Sequence, residues 1–204
     1  MRYDDIAGAT LAKGSVRTLR RNELNLLRDH LLRLDSVSRH DRFHGFLSDS
    51  FIERYAEKCA SDGTVIIAYI ENGVVRGAAE LHPPEQSPDA QPEIAFSVEG
   101  SLRRSGVGSI LFRKLIAEAQ ARGYRSLRIT TGSHNEAMRA LAHKFGAQLT
   151  FRHGESTGSI ALAPLPQPAP AARINAVEAA RAIVDFNRAC WQIWMRMYGW
   201  GRTA

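Results

Sequence analysis

Glu93-Ile94-Ala95-Phe96-Ser97-Val98, then Arg103-Arg104-Ser105-Gly106-Val107-Gly108, then an apolar-periodic run from Ile110 to Ala121: this stretch decides how the chain folds. A second short strand pattern, Leu127 to Thr131, follows. Asn135-Glu136-Ala137-Met138 and Lys144-Phe145-Gly146 close it. Strand, glycine-rich turn, helix, strand, helix is an order that presents a helix N-terminus to a diphosphate. Glycines let the backbone approach the phosphates, and the unpaired first-turn N–H groups and the helix dipole stabilise the negative charge.

Upstream, Val16 to Arg20 alternates as a strand, and Leu24, Leu27, Leu31, Leu32 and Leu34 give an amphipathic helix from about Asn22, its expected cap, to Asp35. Ser48 or Asp49 caps a second helix running toward Cys59. Between the two, Ser36 to Gly45 is polar and reads as an inter-helix loop, either solvated or substrate-facing. Thr64 to Ile70 and Val74 to Leu81 are β-rich, and Asn72-Gly73 between them supplies the positive φ of a tight hairpin. His82 to Pro92 is a proline-rich loop.

Downstream, Ala147 to Phe151 and Ser156 to Leu162 form a final pair of strands around Gly154. The chain thus divides into an N-terminal arm (1–15), an α/β domain (16–162), a proline-rich linker (163–172) and a C-terminal amphipathic helix (173–204). Two apolar stripes on that helix make its face too wide to lie free in water, so docking or homodimerisation through it is expected.

The 204 residues are 44% hydrophobic and 24% charged, enough apolar material for one sizeable core. No run is long enough to cross a bilayer, and Met1 to Asp5 lacks the apolar core of a secretory signal, so the expected location is cytoplasmic. The formal net charge of +6 comes from scattered basic residues without interleaved aromatics, which argues against nucleic acid and allows a polyanionic small ligand. Two cysteines, Cys59 and Cys190, make no disulfide framework, and no Cys/His spacing suggests a metal.

Two phosphate-loop alternatives fail on named residues. A dinucleotide fingerprint needs a third glycine and a later acidic residue, where Gly123-Tyr124-Arg125 stands instead; a P-loop needs a lysine, where Gly108-Ser109-Ile110 has none. The remaining pattern resembles the GNAT superfamily of acyl-CoA-dependent N-acetyltransferases. That family's Gln/Arg-x-x-Gly-x-Gly/Ala signature is met by Arg103 to Gly108, with Asn135 ahead of the next helix and Lys144-Phe145-Gly146 at its end. The resemblance spans about Val16 to Leu162. It implies a central mixed, mostly antiparallel sheet flanked by helices, with acetyl-CoA as cofactor and an amine as acceptor.

Carried over residue by residue, it places the CoA pyrophosphate on the backbone N–H groups of Arg104, Ser105, Gly106, Val107, Gly108 and Ser109. Arg103 and Arg104 add charge-assisted contacts. Phe96, Ser97 and Val98 offer strand-edge groups to the pantetheine arm, and Asn135 with Met138 meets the cofactor near its thiol end. Glu93 in Glu-Ile-Ala-Phe stands where protein-lysine-type members carry a catalytic glutamate, making it the expected base, direct or through water, with Glu80 in reserve. One departure stands out: the tyrosine usual seven positions after the asparagine is Ala142. Solvent, His134 or His143 is then the expected proton source for the departing thiolate. The rival reading is a non-catalytic acyl-CoA-binding module that works through the C-terminal helix.

Overall fold

The computed structural model describes residues 14–87 and 90–163. The expected N-terminal arm, proline-rich linker and C-terminal helix lie essentially outside these residues, as do Pro88 and Asp89 of the loop before β4. Among the described residues, no helix is long and apolar enough to cross a membrane.

Among the described residues, seven strands form one sheet in the order β1-β2-β3-β4-β5-β7-β6. They are β1 (Ser15–Thr18), β2 (Val65–Glu71), β3 (Val74–His82), β4 (Glu93–Val98), β5 (Ser126–Gly132), β6 (Gln148–Arg152) and β7 (Glu155–Ala161). The helices are α1 (Leu24–Arg33), α2 (Ser36–Phe43), α3 (Asp49–Ser61), α4 (Val107–Ala121) and α5 (Glu136–Lys144). All neighbouring strands are antiparallel except β4 and β5, which run parallel.

Period-two alternation sorts the sheet's side chains into two cores. Val65, Ile67 and Tyr69 of β2 join Leu81, Ile94 and the buried face of α4, while Ile66 and Ala68 join Leu27, Leu31 and Ile52 of α1 and α3. β2 is therefore apolar at successive positions because helices cover both of its faces. On α4, Val107, Leu111, Phe112, Leu115 and Ala119 are all fully buried at helical spacing. Each large side chain among them contributes about 1.5–3 kcal/mol of transfer free energy.

The β2–β3 turn has Asn72 at φ 51° and Gly73 at φ 79°, the left-handed pair expected of Asn-Gly. Ser48 caps α3, its Oγ accepting from Phe51 N at 3.3 Å.

Two expectations are corrected. The segment 36–45 is not a loop: Ser36–Phe43 is a helix, capped by Asp35, whose Oδ1 accepts from Ser38 N at 2.8 Å, and ended by His44 at φ 56°. Its sequence hides this because its first turns carry Ser, Arg, His and Asp in place of an apolar stripe. Asn22 is likewise not the cap of the first helix. The chain enters α1 through a 3₁₀ turn, Arg21–Glu23, held by Glu23 Oε2 accepting from Arg20 N at 2.8 Å.

Candidate functional site

The parallel pairing of β4 with β5 covers only Glu93↔Arg128 and Ile94↔Ile129. Beyond these the strands diverge, so Ala95 to Val98 present to β5 an edge that the sheet leaves unpaired. A small open cleft occupies the divergence. Its walls are Ile94, Ala95 and Phe96 of β4, Ile129 to Thr131 of β5, Asn135 and Met138 at the start of α5, and Asp41 and Arg42 of α2.

The glycine turn lies just past the C-terminal end of β4. Arg104 takes φ 62° and Gly106 φ 90°, and Gly106 caps α4 without any side-chain capping bond. The first turn-closing bond is Ile110 N to Gly106 O at 3.1 Å, so the N–H groups of Val107, Gly108 and Ser109 have no acceptor within the helix. Lys144 Nζ donates to Ser109 Oγ at 3.0 Å, adding a cation at this terminus. A β-carbon on Gly108 would meet Leu141 Cδ2 at 3.3 Å, which records how closely α5 packs on the turn. Open strand edge and unpaired helix N-terminus thus sit at one end of β4, a geometry suited to an extended amide chain ending in a diphosphate.

The expected site residues divide into several groups. Phe96, Asn135 and Met138 line the cleft. The Phe96 ring also stacks on Phe112 at 4.8 Å, and Phe112 on Phe145 at 4.2 Å, anchoring β4 to α4 and α5. Asn135 caps α5, its Oδ1 accepting from Met138 N at 3.0 Å, which leaves its amide N–H groups for other partners. Ser97 faces away from the glycine turn: its Oγ bonds His30 Nε2 at 2.9 Å in the α1 layer, so only its backbone can serve a ligand. Val98 packs against the α4 core. Arg104 and Ser105 are exposed at the turn, whereas Arg103 Nη2 donates to Ser38 Oγ at 2.6 Å and ties the turn to α2.

Glu93 is half-exposed beside the cleft rather than on its wall, and Arg128 Nη2 holds its Oε2 at 2.8 Å. Its side chain shares a sheet face with Ala95, two residues nearer the divergence. Glu80 is fully buried and committed to structure. Arg42 Nη2 reaches it at 2.8 Å and Arg42 Nε at 3.2 Å; Tyr55 OH donates at 2.5 Å. Burial pushes its carboxyl up, but the Arg42 guanidinium and the His82 and Tyr55 contacts outweigh that and hold it at about 2. Such a carboxylate is a poor proton acceptor. Tyr55, in the same network, is raised well above the usual phenol range, chiefly by burial.

Ala142 is fully buried in the core, so even a larger residue at that position would face away from solvent. Of the two histidines considered as acids, His143 is exposed near the end of α5, and His134 stands against Asp41, Nε2 to Oδ1 at 3.1 Å. The stretch 36–45, expected to be either solvated or substrate-facing, brings Asp41 and Arg42 to the cleft from a helix, while Ile94, Ala95 and Ile129 to Thr131 were not singled out in the sequence. The available signal was Asp35-x-x-Ser38, which starts the helix that carries Asp41 and Arg42.

The sequence model of the acetyltransferase (GNAT) family matches residues 31–147, more than half of the chain. No curated protein sequence matches. Among solved structures, the GNAT domain of S. lividans PAT superposes with TM-score 0.62 at 21% identity, covering 73% of this chain and 90% of that one. A phosphinothricin acetyltransferase from Sinorhizobium meliloti in complex with AcCoA gives 0.56 at 16%, covering 78% and 95%. The ribosomal-protein-S18-alanine N-acetyltransferase of Escherichia coli gives 0.57 at 15%, covering 76% and 98%. At these identities the likeness establishes the fold: among the described residues, a seven-stranded, mostly antiparallel open sheet flanked by the helices α1 to α5.

Proposed function

The chain belongs to the GNAT acetyltransferase family, and on that premise we propose that it moves an acetyl group from acetyl-CoA to a primary amine, on a protein lysine or a small molecule, by direct attack in a ternary complex. The observation that carries the proposal is the divergence of β4 from β5 immediately ahead of the Gly106 turn.

The residues present fit the cofactor. The unpaired N–H groups of Val107, Gly108 and Ser109 suit a diphosphate, with the backbone from Arg104 to Gly106 and the exposed Arg104 guanidinium beside them. Arg103 steadies this turn from α2 and has further N–H groups to offer. The open edge at Phe96, Ser97 and Val98 suits the amides of the pantetheine arm, and Asn135 and Met138 border its far end. When bound, acetyl-CoA supplies an acyl group already activated as a thioester.

Glu93 takes the role of base, directly or through water. It stands beside the cleft, two residues along β4 from Ala95 on the cleft wall. Arg128 fixes the carboxylate through Oε2. The protein-lysine-type reading rests on Glu93-Ile94-Ala95-Phe96 and on the alanine at position 142. Direct attack is supported by the state of Cys59, which is buried and whose thiol burial pushes up to about 12, far from a nucleophile.

Release of free CoA thiol, measured with a panel of amines and lysine peptides, tests the proposal. The expected result is turnover that falls by about 100-fold or more in Glu93→Gln, the usual range for losing a general base. Acetyl-CoA binding with no turnover on any acceptor would instead favour a non-catalytic binding module.

A further inference from the structure

We infer that Asp41 is the docking residue for the acceptor, receiving the amine as an ammonium ion at the mouth of the β4–β5 cleft. The inference rests on the transferase reading above and specifies the acceptor class: amines that arrive as cations.

Asp41 lies on the cleft wall with Thr131 and Asn135. Its Oδ1 is buried and receives no aligned hydrogen bond, although His134 Nε2 is only 3.1 Å away. Distance and direction disagree here, and direction decides: a nearby nitrogen whose N–H does not point at the oxygen leaves the acceptor unsatisfied. Thr131 Oγ1, on the same wall, is also buried without a partner. Buried polar atoms are nearly always paired, and an unpaired carboxylate oxygen costs more than a neutral one. Two orphans on one cleft wall mark a place where a ligand completes the bonding, and a carboxylate oxygen asks for a donor. An ammonium supplies charge-assisted donors.

The other carboxylates on this sheet face are already engaged. Glu93 is held by Arg128, and Glu80 is enclosed by Arg42, Tyr55 and His82. Arg42 borders the cleft but spends its guanidinium on Glu80 and Tyr55, so it does not neutralise its neighbour Asp41. A row of rings extends outward: His134 lies 5.5 Å from His40, and His40 lies 5.1 Å from Phe46. Phe46 is 88% exposed, which leaves an apolar and aromatic surface for the carbon chain behind an ammonium.

Of the groups beside Asp41, His134 on the β5–α5 loop comes nearest, its Nε2 3.1 Å from Oδ1, while Arg42 on the same helix is committed to Glu80.

The test measures acceptor KM, kcat and acetyl-CoA Kd, with butylamine as the probe. Asp41→Asn is expected to raise butylamine KM by roughly 10- to 100-fold, the effect of losing one charge-assisted bond, with kcat changing less and acetyl-CoA Kd holding within about twofold. Asp41→Glu keeps the charge and retains most of the affinity. An unchanged KM in Asp41→Asn with intact cofactor binding overturns the inference alone. Zinc binding by the unsubstituted protein that Asp41→Asn abolishes, with KM unmoved, would also overturn it and assign the His40–Asp41–His134 cluster, whose ligand atoms lie within 4.8 Å of one another, to a metal. Failure of the unsubstituted protein to bind acetyl-CoA would instead strike the transferase reading.

Discussion

Substituting Glu80→Gln removes one charge from the centre of the network that holds α2 and α3 on the sheet. The carboxylate is fully buried, and it accepts from Arg42 at 2.8 and 3.2 Å and from Tyr55 at 2.5 Å, with His82 Nε2 at 3.4 Å. Glutamine keeps the shape but leaves the Arg42 guanidinium, 9% exposed, as an uncompensated cation. Breaking a buried pair from one side costs about 3–5 kcal/mol, a large share of the 5–15 kcal/mol typical of a domain. At about 2–4 °C per kcal/mol for a chain of this size, Tm should fall by roughly 10 °C. Urea titration should show the loss as a lower midpoint with the slope unchanged. The double substitution Glu80→Met with Arg42→Met should recover most of it, since no charge is then stranded.

The same residue predicts an acid limb. Its folded pKa, about 2, lies below its unfolded value near 4.5. Its stabilisation is therefore present above the unfolded value and lost as pH falls toward 2, and this component is absent in Glu80→Gln. A loss below about 1 kcal/mol in Glu80→Gln would refute the reasoning, because it would mean that Arg42 finds solvent or another partner at little cost.

His30 gives a second pH signature. Burial lowers its pKa to about 4 despite the opposing charge of Glu99, so the ring is neutral at pH 7, bonded to Ser97. The native state then binds fewer protons than the unfolded chain between about 4 and 6.5. Stability is complete above that window and falls by up to about 3 kcal/mol as pH drops through it. Unfolding free energies at pH 7 and 4.5 should show this difference and lose it in His30→Asn; equal slopes would contradict it. At the glycine turn, Gly106→Ala has free space around its β-carbon but must hold φ 90°. It should cost about 1–2 kcal/mol of stability and weaken acetyl-CoA binding, as titration calorimetry would report, whereas Gly108→Ala asks only that Leu141 shift.

What was legible in the sequence is what local chemistry determines. Asn72-Gly73 specifies its turn because few other pairs tolerate two left-handed residues. Gly106 announces the start of α4, and Asn135 caps α5 as well as bordering the cleft. The helix α2 was illegible because its apolar content is sparse and its only strong marker is the Asp35 cap. The segment could be read as substrate-facing, but nothing in it showed that a helix would carry Asp41 and Arg42 to the cleft wall.

Pairings between distant segments were also beyond reach. That β7 inserts between β5 and β6 is marked by no motif, whereas the open edge at Phe96 to Val98 was expected from the family resemblance. Glu93 was legible as a strand glutamate, but its bond to Arg128 required knowing that β5 lies alongside. Glu80 became a structural residue only once α2 and α3 brought Arg42 and Tyr55 to it.

The central claim is that acetyl-CoA lies along the open edge of β4 with its diphosphate on the N-terminus of α4. Hydrogen–deuterium exchange with and without acetyl-CoA tests it most directly. The account predicts slowed exchange at residues 95–98 and 104–109 on binding. Tight binding that leaves both segments unprotected, or protects a different part of the sheet, would contradict it.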